Sequence, residues 1–499
     1  MKQIIGSICI VLLASSAVAE ESWNDVSRLN PTPVDRVIAV QSEQDVAEAL
    51  ASLKPGQKVS ISGSRHSQGG HITFPGAVVL DMTDFDQVIS VDPDKKVAIV
   101  QSGASWEDVQ TAANPHGLSV KVMQSSNIFT VGGSLSANVH GRDPRFGPII
   151  ETVRTLKIAL ADGSVIEASR AKNPDLFYSA IGGYGLLGVI LEAELELTDN
   201  LPLLKTTTPI SHASYADQFK QPVDDLNLHF GRCSFAKGAS FLADCFSIDY
   251  REKSQYPEVS ELSLEKGIAR NAFFFDLSRK FNWAKHFRWR IQKSFVDNPN
   301  KVARIDRNQA MQPPIKFLEY ESANDTDILQ EYFVPVEMFP SFMEGLENVL
   351  VQRDVNLLSM TLRYVPENIE SVLSYAQSEM IAVVLYINME LSEAAINQAQ
   401  SWTRALVDLT LKHRGTYYLT YQGFPTTEQF RQAYPRWLDF LRTKCQYDPT
   451  EIFSNHFYHQ YLAASYFDVY QSPVSVDIRS LCPLISKTGA SPIGSHEGQ

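Results

Sequence analysis

Val59-Ser60-Ile61-Ser62-Gly63-Ser64-Arg65-His66-Ser67-Gln68-Gly69-Gly70-His71 begins as a strand, since Val59 and Ile61 alternate with Ser60 and Ser62, and then breaks into glycine and small hydroxyl residues. A turn of that composition exposes consecutive backbone N–H groups, and these form a concave nest for an anion. Gly63 lets a ligand approach the main chain and Arg65 adds charge, so the stretch suits a phosphate or pyrophosphate. His66 sits inside the nest. A histidine in a polar turn is ordinarily solvated or hydrogen-bonded, and only its surroundings can give it another role.

A second stretch of similar character runs from Asn127 to Arg142 and contains Thr130-Val131-Gly132-Gly133-Ser134-Leu135-Ser136-Ala137 and His140-Gly141. Gly132 and Gly133 permit close approach to the backbone, and the small residues after them leave room for a flat cofactor. Read alone, it is a glycine turn capping a helix. Around both stretches strand and helix alternate. Ser42–Asp45 and Ser105–Asp108 read as capping boxes, Gly117 stops the second helix, and Ala77–Met82 is an apolar strand. Asp162-Gly163 joins Thr155–Ala161 to Ser164–Ala168 as a hairpin with a primed turn. Gly183-Tyr184-Gly185-Leu186-Leu187-Gly188 fits GxGxxG by spacing, but a dinucleotide site needs a strand before it and a helix after. Here Pro174–Ile181 is helical in pattern and Val189–Leu195 alternates, so that site is rejected.

Beyond about Asn200 the strands lengthen: Leu228–Cys233, Phe241–Tyr250, Leu357–Val365, Ile381–Met389 and a shorter Tyr417–Tyr421. Helices over Glu393–His413 and Thr427–Cys445 accompany them. The pattern predicts an antiparallel sheet with helices on one face, a separate substrate or cap domain. With 499 residues, two domains are expected, and the fold class is α+β. One cap segment interleaves Arg279, Lys280, Lys285, Arg288, Arg290 and Lys293 with aromatic residues. Such a helix can contact an anionic membrane surface, but the reading adopted is a cap helix with a solvated charged face.

Lys2, an apolar run from Ile4 to Leu13 and the small residues Ala17-Val18-Ala19 predict a signal peptide over residues 1–19, hence a periplasmic or secreted protein. Its removal takes Cys9 and leaves Cys233, Cys245, Cys445 and Cys482, which allow three pairings; adjacent strand-like runs make Cys233–Cys245 the first expectation. No CxxC occurs and no metal site is expected. A net charge of −13 argues against a nucleic-acid partner. No GxSxG elbow supports a serine hydrolase.

The two loops and the Asp175–Leu195 segment resemble, in order and spacing, the flavin half of the vanillyl-alcohol-oxidase-type (PCMH-type) FAD-linked oxidoreductases. The resemblance implies a two-subdomain FAD-binding domain over residues 20–200, a cap domain over 201–444, and a C-terminal segment, 445–499, that returns to the flavin. It places FAD against Ser62, Gly63, Ser64, Arg65, His66 and Ser67, then against Thr130, Gly132, Gly133, His140, Gly141 and Ile190, and finally against Tyr418 and Asn455. In covalent members the histidine at the place of His66 is bonded to the flavin, so a histidyl bond is expected here. His71 is the rival, beyond Gly69-Gly70 where the chain turns away.

The same resemblance implies hydride transfer from a carbon bearing a hydroxyl, with a nearby base taking the hydroxyl proton. The substrate is expected to be a small alcohol (sugar, polyol or aldonolactone), with oxygen or another acceptor taking the electrons. Arg363 matches a substrate-facing basic residue, and Tyr421 stands where one member has a lysine, which argues against simply copying a phosphosugar specificity. Tyr421 with Gln422 can orient a neutral hydroxyl, and Tyr421 or His140 then takes the proton. The alternative is a catalytically silent flavoprotein or a periplasmic ligand-binding protein on the same fold.

Overall fold

The computed structural model describes residues 21–220, 224–253, 262, 267–294, 303–312, 320–470 and 481–485, so the expected signal peptide over residues 1–19 lies outside the described residues. Three strands, Arg36–Ala39, Val78–Asp81 and Val59–Ser62, form a small parallel sheet with Val78–Asp81 at its centre. The helix Glu43–Ala51 connects the first two strands in sequence. Ser42 and Asp45 close its capping box, and Val46, Ala49 and Leu50 are buried against the sheet. Between Val59–Ser62 and Val78–Asp81, neighbours in the same sheet, no helix intervenes. The glycine-rich stretch makes that crossing itself and emerges at the carboxyl end of its strand, where open parallel sheets place ligands. Phe453 adds a parallel bridge to Val59, and Ser60 Oγ donates to the Ser454 carbonyl at 2.7 Å, so the C-terminal segment is fastened beside this strand.

A six-stranded antiparallel sheet follows, built from Val165–Ser169, Val153–Ala159, Val189–Asp199, Val97–Gln101 and Val88–Asp92, with Leu118–Val120 on the far end of Val189–Asp199. The hairpin turn differs from the expected primed type. Gly163 has φ 81° while Asp162 is not among the positive-φ residues, and Leu160 N bonds to Ser164 O. That is a three-residue connection whose one left-handed position is the glycine. Gly132 and Gly133 also differ from a simple turn, because they lie inside a short helix, Val131–Ser136, capped by Thr130.

The largest sheet has eight antiparallel strands in the order Ala303–Asp306, Pro202–Ser211, Asp244–Glu252, Leu226–Cys233, Leu357–Val365, Met380–Glu390, Asp325–Pro335, Thr416–Tyr417. Helices Phe339–Gln352 and Glu393–Lys412 pack together on one face, burying Phe342, Leu346, Trp402 and Leu406. Alternation then sends every second residue to the other face. Along Leu357–Val365, Met360, Leu362 and Tyr364 are core, whereas Ser359, Thr361 and Arg363 line a cavity.

Three expectations are corrected here. The strand over Tyr417–Tyr421 is only Thr416–Tyr417; the chain then leaves the sheet so that Thr420 O can accept from Gln68 N at 2.9 Å. The helix over Thr427–Cys445 is two helices, Thr427–Ala433 and Trp437–Tyr447, because Pro435 cannot donate the bond a continuous helix needs. The basic cap segment, two helices Ile268–Lys280 and Asn282–Ser294, turns cations inward. Arg279 is buried against Asp327 and Lys285 against Asn356 Oδ1, while Phe281, Trp283 and Phe287 are exposed. Among the described residues no helix is long and apolar enough to cross a membrane. Cys233 is bonded to Cys245, its direct cross-strand neighbour, and Cys445 to Cys482.

Candidate active site

A cavity of about 770 Å³ opens between the two antiparallel sheets, in the size range of ligand sites. Ser62, Gly63, Ser64, Arg65, His66 and Ser67 all line it. The N–H groups of Gly63 to Ser67 donate to no described residue, and Arg65 has φ 57°, which turns the loop over on itself. Thr130, Gly132 and Gly133 line the neighbouring wall. A Cβ at Gly63 would collide with Thr130 Oγ1, and one at Gly132 would stand 2.7 Å from Ser102 Cβ. Glycine at these points brings the two loops together and leaves bare backbone beside the cavity.

His66 lies edge-on to Phe129, ring centroids 4.8 Å apart, and its Nδ1 is buried without a partner among the described residues. Burial pushes its imidazole below the ordinary value, although the Ser64 backbone opposes this. His71 also touches the cavity but sits deeper, between Tyr184 and Phe457, and burial lowers its pKa to about 4. Both histidines are therefore neutral at pH 7.

On the opposite wall His140 Nε2 meets Glu331 Oε1 at 2.7 Å, and Tyr421 Oη donates to Glu331 Oε2 at 3.3 Å. Burial alone would raise the Glu331 carboxyl. The His140 imidazole that meets it, with Arg363 and Tyr421 beside it, instead holds it below the usual carboxylate range. Burial and the Glu331 charge push the Tyr421 phenol well above its ordinary value, which removes it as a proton acceptor and leaves it a donor. Tyr418 Oη donates to Ala137 O at 2.9 Å, so its ring, rather than its hydroxyl, is offered to the cavity it lines. Arg363 and Ile190 line the same cavity. Gly141 and Asn455 do not. Gly141 lies against Met123, and Asn455 Nδ2 donates to the carbonyls of His71 and Tyr184, holding the chain behind the cavity.

A cavity of this volume, with the unpaired backbone donors of Gly63–Ser67, small residues at Gly132, Gly133, Ser134, Ser136 and Ala137, and orphaned polar atoms on His66, His71 and Ser102, fits a flavin dinucleotide. Comparison with known proteins agrees. Residues 34–169 match the model of an FAD binding domain, and residues 252–462 match that of D-arabinono-1,4-lactone oxidase. The chain belongs to the PCMH-type FAD-linked oxidoreductase family. Within it, the chain is 30% identical to cytokinin dehydrogenase 2 of Arabidopsis thaliana over 39% of this chain and 40% of that one. It is 31% identical to decaprenylphosphoryl-beta-D-ribose oxidase of Mycolicibacterium smegmatis over 34% and 38%, respectively. Those matches span about two fifths of each relative; with Arabidopsis thaliana cytokinin dehydrogenase 4 the match is 25% identical and extends over 88% of this chain and 90% of the relative.

The family's FAD-binding segment carries both loops and His140, while the lactone-oxidase segment carries Glu331, Arg363, Tyr418 and Tyr421. Glu331 is the site residue that sequence reasoning missed. Its strand, Asp325–Pro335, was not anticipated, and the available signal was one carboxylate between Leu329 and Phe333 on an alternating face. Among the described residues no cluster of three or more His, Cys, Asp or Glu could hold a metal ion.

Proposed function

We propose that the protein is an exported FAD-dependent oxidoreductase that oxidises a CH–OH group of a small sugar, polyol or aldonolactone-like substrate. The observation that carries this reading is the buried His140–Glu331–Tyr421 cluster, which faces the same cavity as the phosphate nest. Bound against the nest and the Thr130–Gly133 wall, FAD would supply the two-electron acceptor, with oxygen or another oxidant as the final one. The protein's own residues handle the proton. In the tautomer that donates Nε2–H to Glu331, His140 Nδ1 keeps a lone pair and has no partner among the described residues, so it can take the substrate hydroxyl proton. Glu331 fixes that tautomer and stabilises the imidazolium that results. Arg363 orients the substrate oxygen.

His66 is the proposed point of covalent attachment, supported by its place in the cavity wall and its unpartnered, neutral Nδ1. The matched lactone-oxidase model supports a sugar-derived substrate. Export rests on Lys2, the short apolar run and Ala17-Val18-Ala19, and N-terminal sequencing of the mature chain should start near Glu20. Anaerobic absorbance scans across a panel of sugars, polyols and lactones, together with their acidic and phosphorylated derivatives, test the activity. At least one compound should bleach the flavin band; a protein that holds no flavin, or whose flavin no compound bleaches, contradicts the proposal.

A further inference from the structure

The cavity holds more positive charge than the protein or a flavin cofactor balances. Among the described residues six arginines line it, Arg65, Arg142, Arg232, Arg270, Arg288 and Arg363, and Glu331 is the one carboxylate. Such an excess runs against the composition, since the whole chain carries a net −13. Arg65 belongs to the nest, where its guanidinium lies over Trp23 at 4.6 Å. The rest gather elsewhere. Arg232 and Arg363 project from neighbouring cap strands, on which Arg232 is the cross-strand partner of Thr361. Arg142 follows the His140-Gly141 turn, and Arg270 and Arg288 come from the helices Ile268–Lys280 and Asn282–Ser294.

None of these five forms a salt bridge with a carboxylate among the described residues, although Arg363 stands close enough to Glu331 to help hold its carboxyl low. Arg142 donates from Nε to Ser125 Oγ at 2.9 Å and lies over Phe230 at 4.5 Å. Arg232 donates to Gln292 Oε1 at 3.3 Å, and Arg288 donates to Leu358 O at 3.4 Å and stacks over Phe275 at 3.9 Å. The Nε atoms of Arg232 and Arg363 are buried with no hydrogen bond. Elsewhere this chain pairs its buried guanidiniums: Arg307 with Asp143 at 2.7 Å, and Arg279 with Asp327. Outside the cavity Arg28 also lacks a carboxylate, but its guanidinium donates to the carbonyls of Ser322 and Asp325. Burial, together with the like charges around them, pulls Arg142 and Arg288 down to about 9, as expected where a counter-anion is missing.

We propose that the substrate is an anionic alcohol, whose carboxylate or phosphate is held by Arg142, Arg232 and Arg288 while its hydroxyl reaches the His140–Glu331 pair. The proposal rests on the oxidoreductase reading and narrows it from neutral polyols and lactones to hydroxy acids or phosphorylated sugars. Guanidinium forks match both oxyanions in shape and charge. A cation at position 421 is not needed for such a substrate, because the arginines stand elsewhere on the wall. The FAD pyrophosphate does not account for them either, since the nest on the far loop already offers it five N–H groups and Arg65.

Isothermal titration calorimetry of the flavin-loaded full chain, at fixed ionic strength, tests the proposal with three probes: inorganic phosphate, D-gluconate and neutral D-glucitol. At least one anion should bind about tenfold or more tighter than glucitol, and the stronger of the two identifies the oxyanion. An Arg232→Gln/Arg288→Gln double variant should lose about tenfold or more of that affinity while keeping wild-type FAD content. If this variant melts early, Arg232→Lys, which keeps the charge but loses the fork, should weaken binding several-fold. The proposal is overturned if glucitol binds as well as either anion, if the variants bind anions unchanged, or if the double variant loses FAD, which would assign the arginines to the cofactor. Flavin that no alcohol of either kind reduces would instead remove the oxidoreductase reading, and the calorimetric result would stand apart from it.

Discussion

His140 Nε2 lies 2.7 Å from Glu331 Oε1, although the two residues are 191 positions apart and both are buried. One comes from the loop that follows the Val131–Ser136 helix and the other from the cap strand Asp325–Pro335, so the contact joins two walls of the cavity. Tyr421 is a donor to this pair and not a base. Tyr421→Phe should therefore slow flavin reduction by about tenfold, the scale of one lost hydrogen bond to a charged group. Stopped-flow rates reduced a thousandfold would return the proton-acceptor role to the phenol.

His71 gives the fold a dependence on pH. Its burial lowers the pKa to about 4, against about 6.5 for an unfolded histidine. Between these values the unfolded chain binds a proton that the folded chain excludes, so stability is full above pH 6.5 and falls as the pH drops towards 4. The complete difference is on the order of 3 kcal/mol. Urea unfolding at pH 7 and pH 5 should show a loss that shrinks in His71→Phe; an equal loss in the variant would assign the effect to other groups.

Gly63→Ala should empty the flavin site. The new methyl group meets Thr130 Oγ1 and must push apart the two loops that form the cavity wall. The ratio of flavin to protein absorbance should drop, and Gly63→Ala/Thr130→Ala should recover part of it despite losing the helix cap, a change that costs about 1 kcal/mol. A single variant with full flavin content would show that the loops can separate freely.

Much of the architecture was legible because burial leaves a period in sequence. The alternation of Leu357–Val365 predicted a strand, and the capping boxes at Ser42 and Ser105 located two helices. The nest was readable from composition, since Gly63 and Arg65 take conformations or contacts that few residues allow. Glu331 was not. A lone carboxylate on a strand reads as a solvent-facing residue until the sheet order places His140 opposite it, and no local pattern encodes a contact across 191 residues. Tyr421 was placed on a strand because Tyr417–Tyr421 looks like one, but the backbone bond from Gln68 to Thr420 draws the chain out of the sheet. Asn455 was read as a flavin contact, whereas its amide is used up by two backbone carbonyls.

The covalent bond is tested by acid precipitation followed by peptide mass mapping. Wild-type protein should keep its yellow colour in the pellet, with the flavin mass on the peptide that contains His66. His66→Ala should release its FAD into the supernatant. Flavin mass on the His71 peptide would move the attachment site, and complete release from the wild type would remove the bond while leaving the FAD site intact.

In the proposed mechanism His140 takes the substrate proton, with Glu331 stabilising the imidazolium, while a bound flavin takes the electrons. Anaerobic stopped-flow reduction of wild type and Glu331→Gln, with the best compound from the substrate panel, tests it most directly. Glutamine keeps the shape and removes the charge, so the variant should hold FAD normally and reduce it about 10²–10⁴-fold more slowly. A Glu331→Gln protein that carries full FAD and bleaches at the wild-type rate would contradict the account.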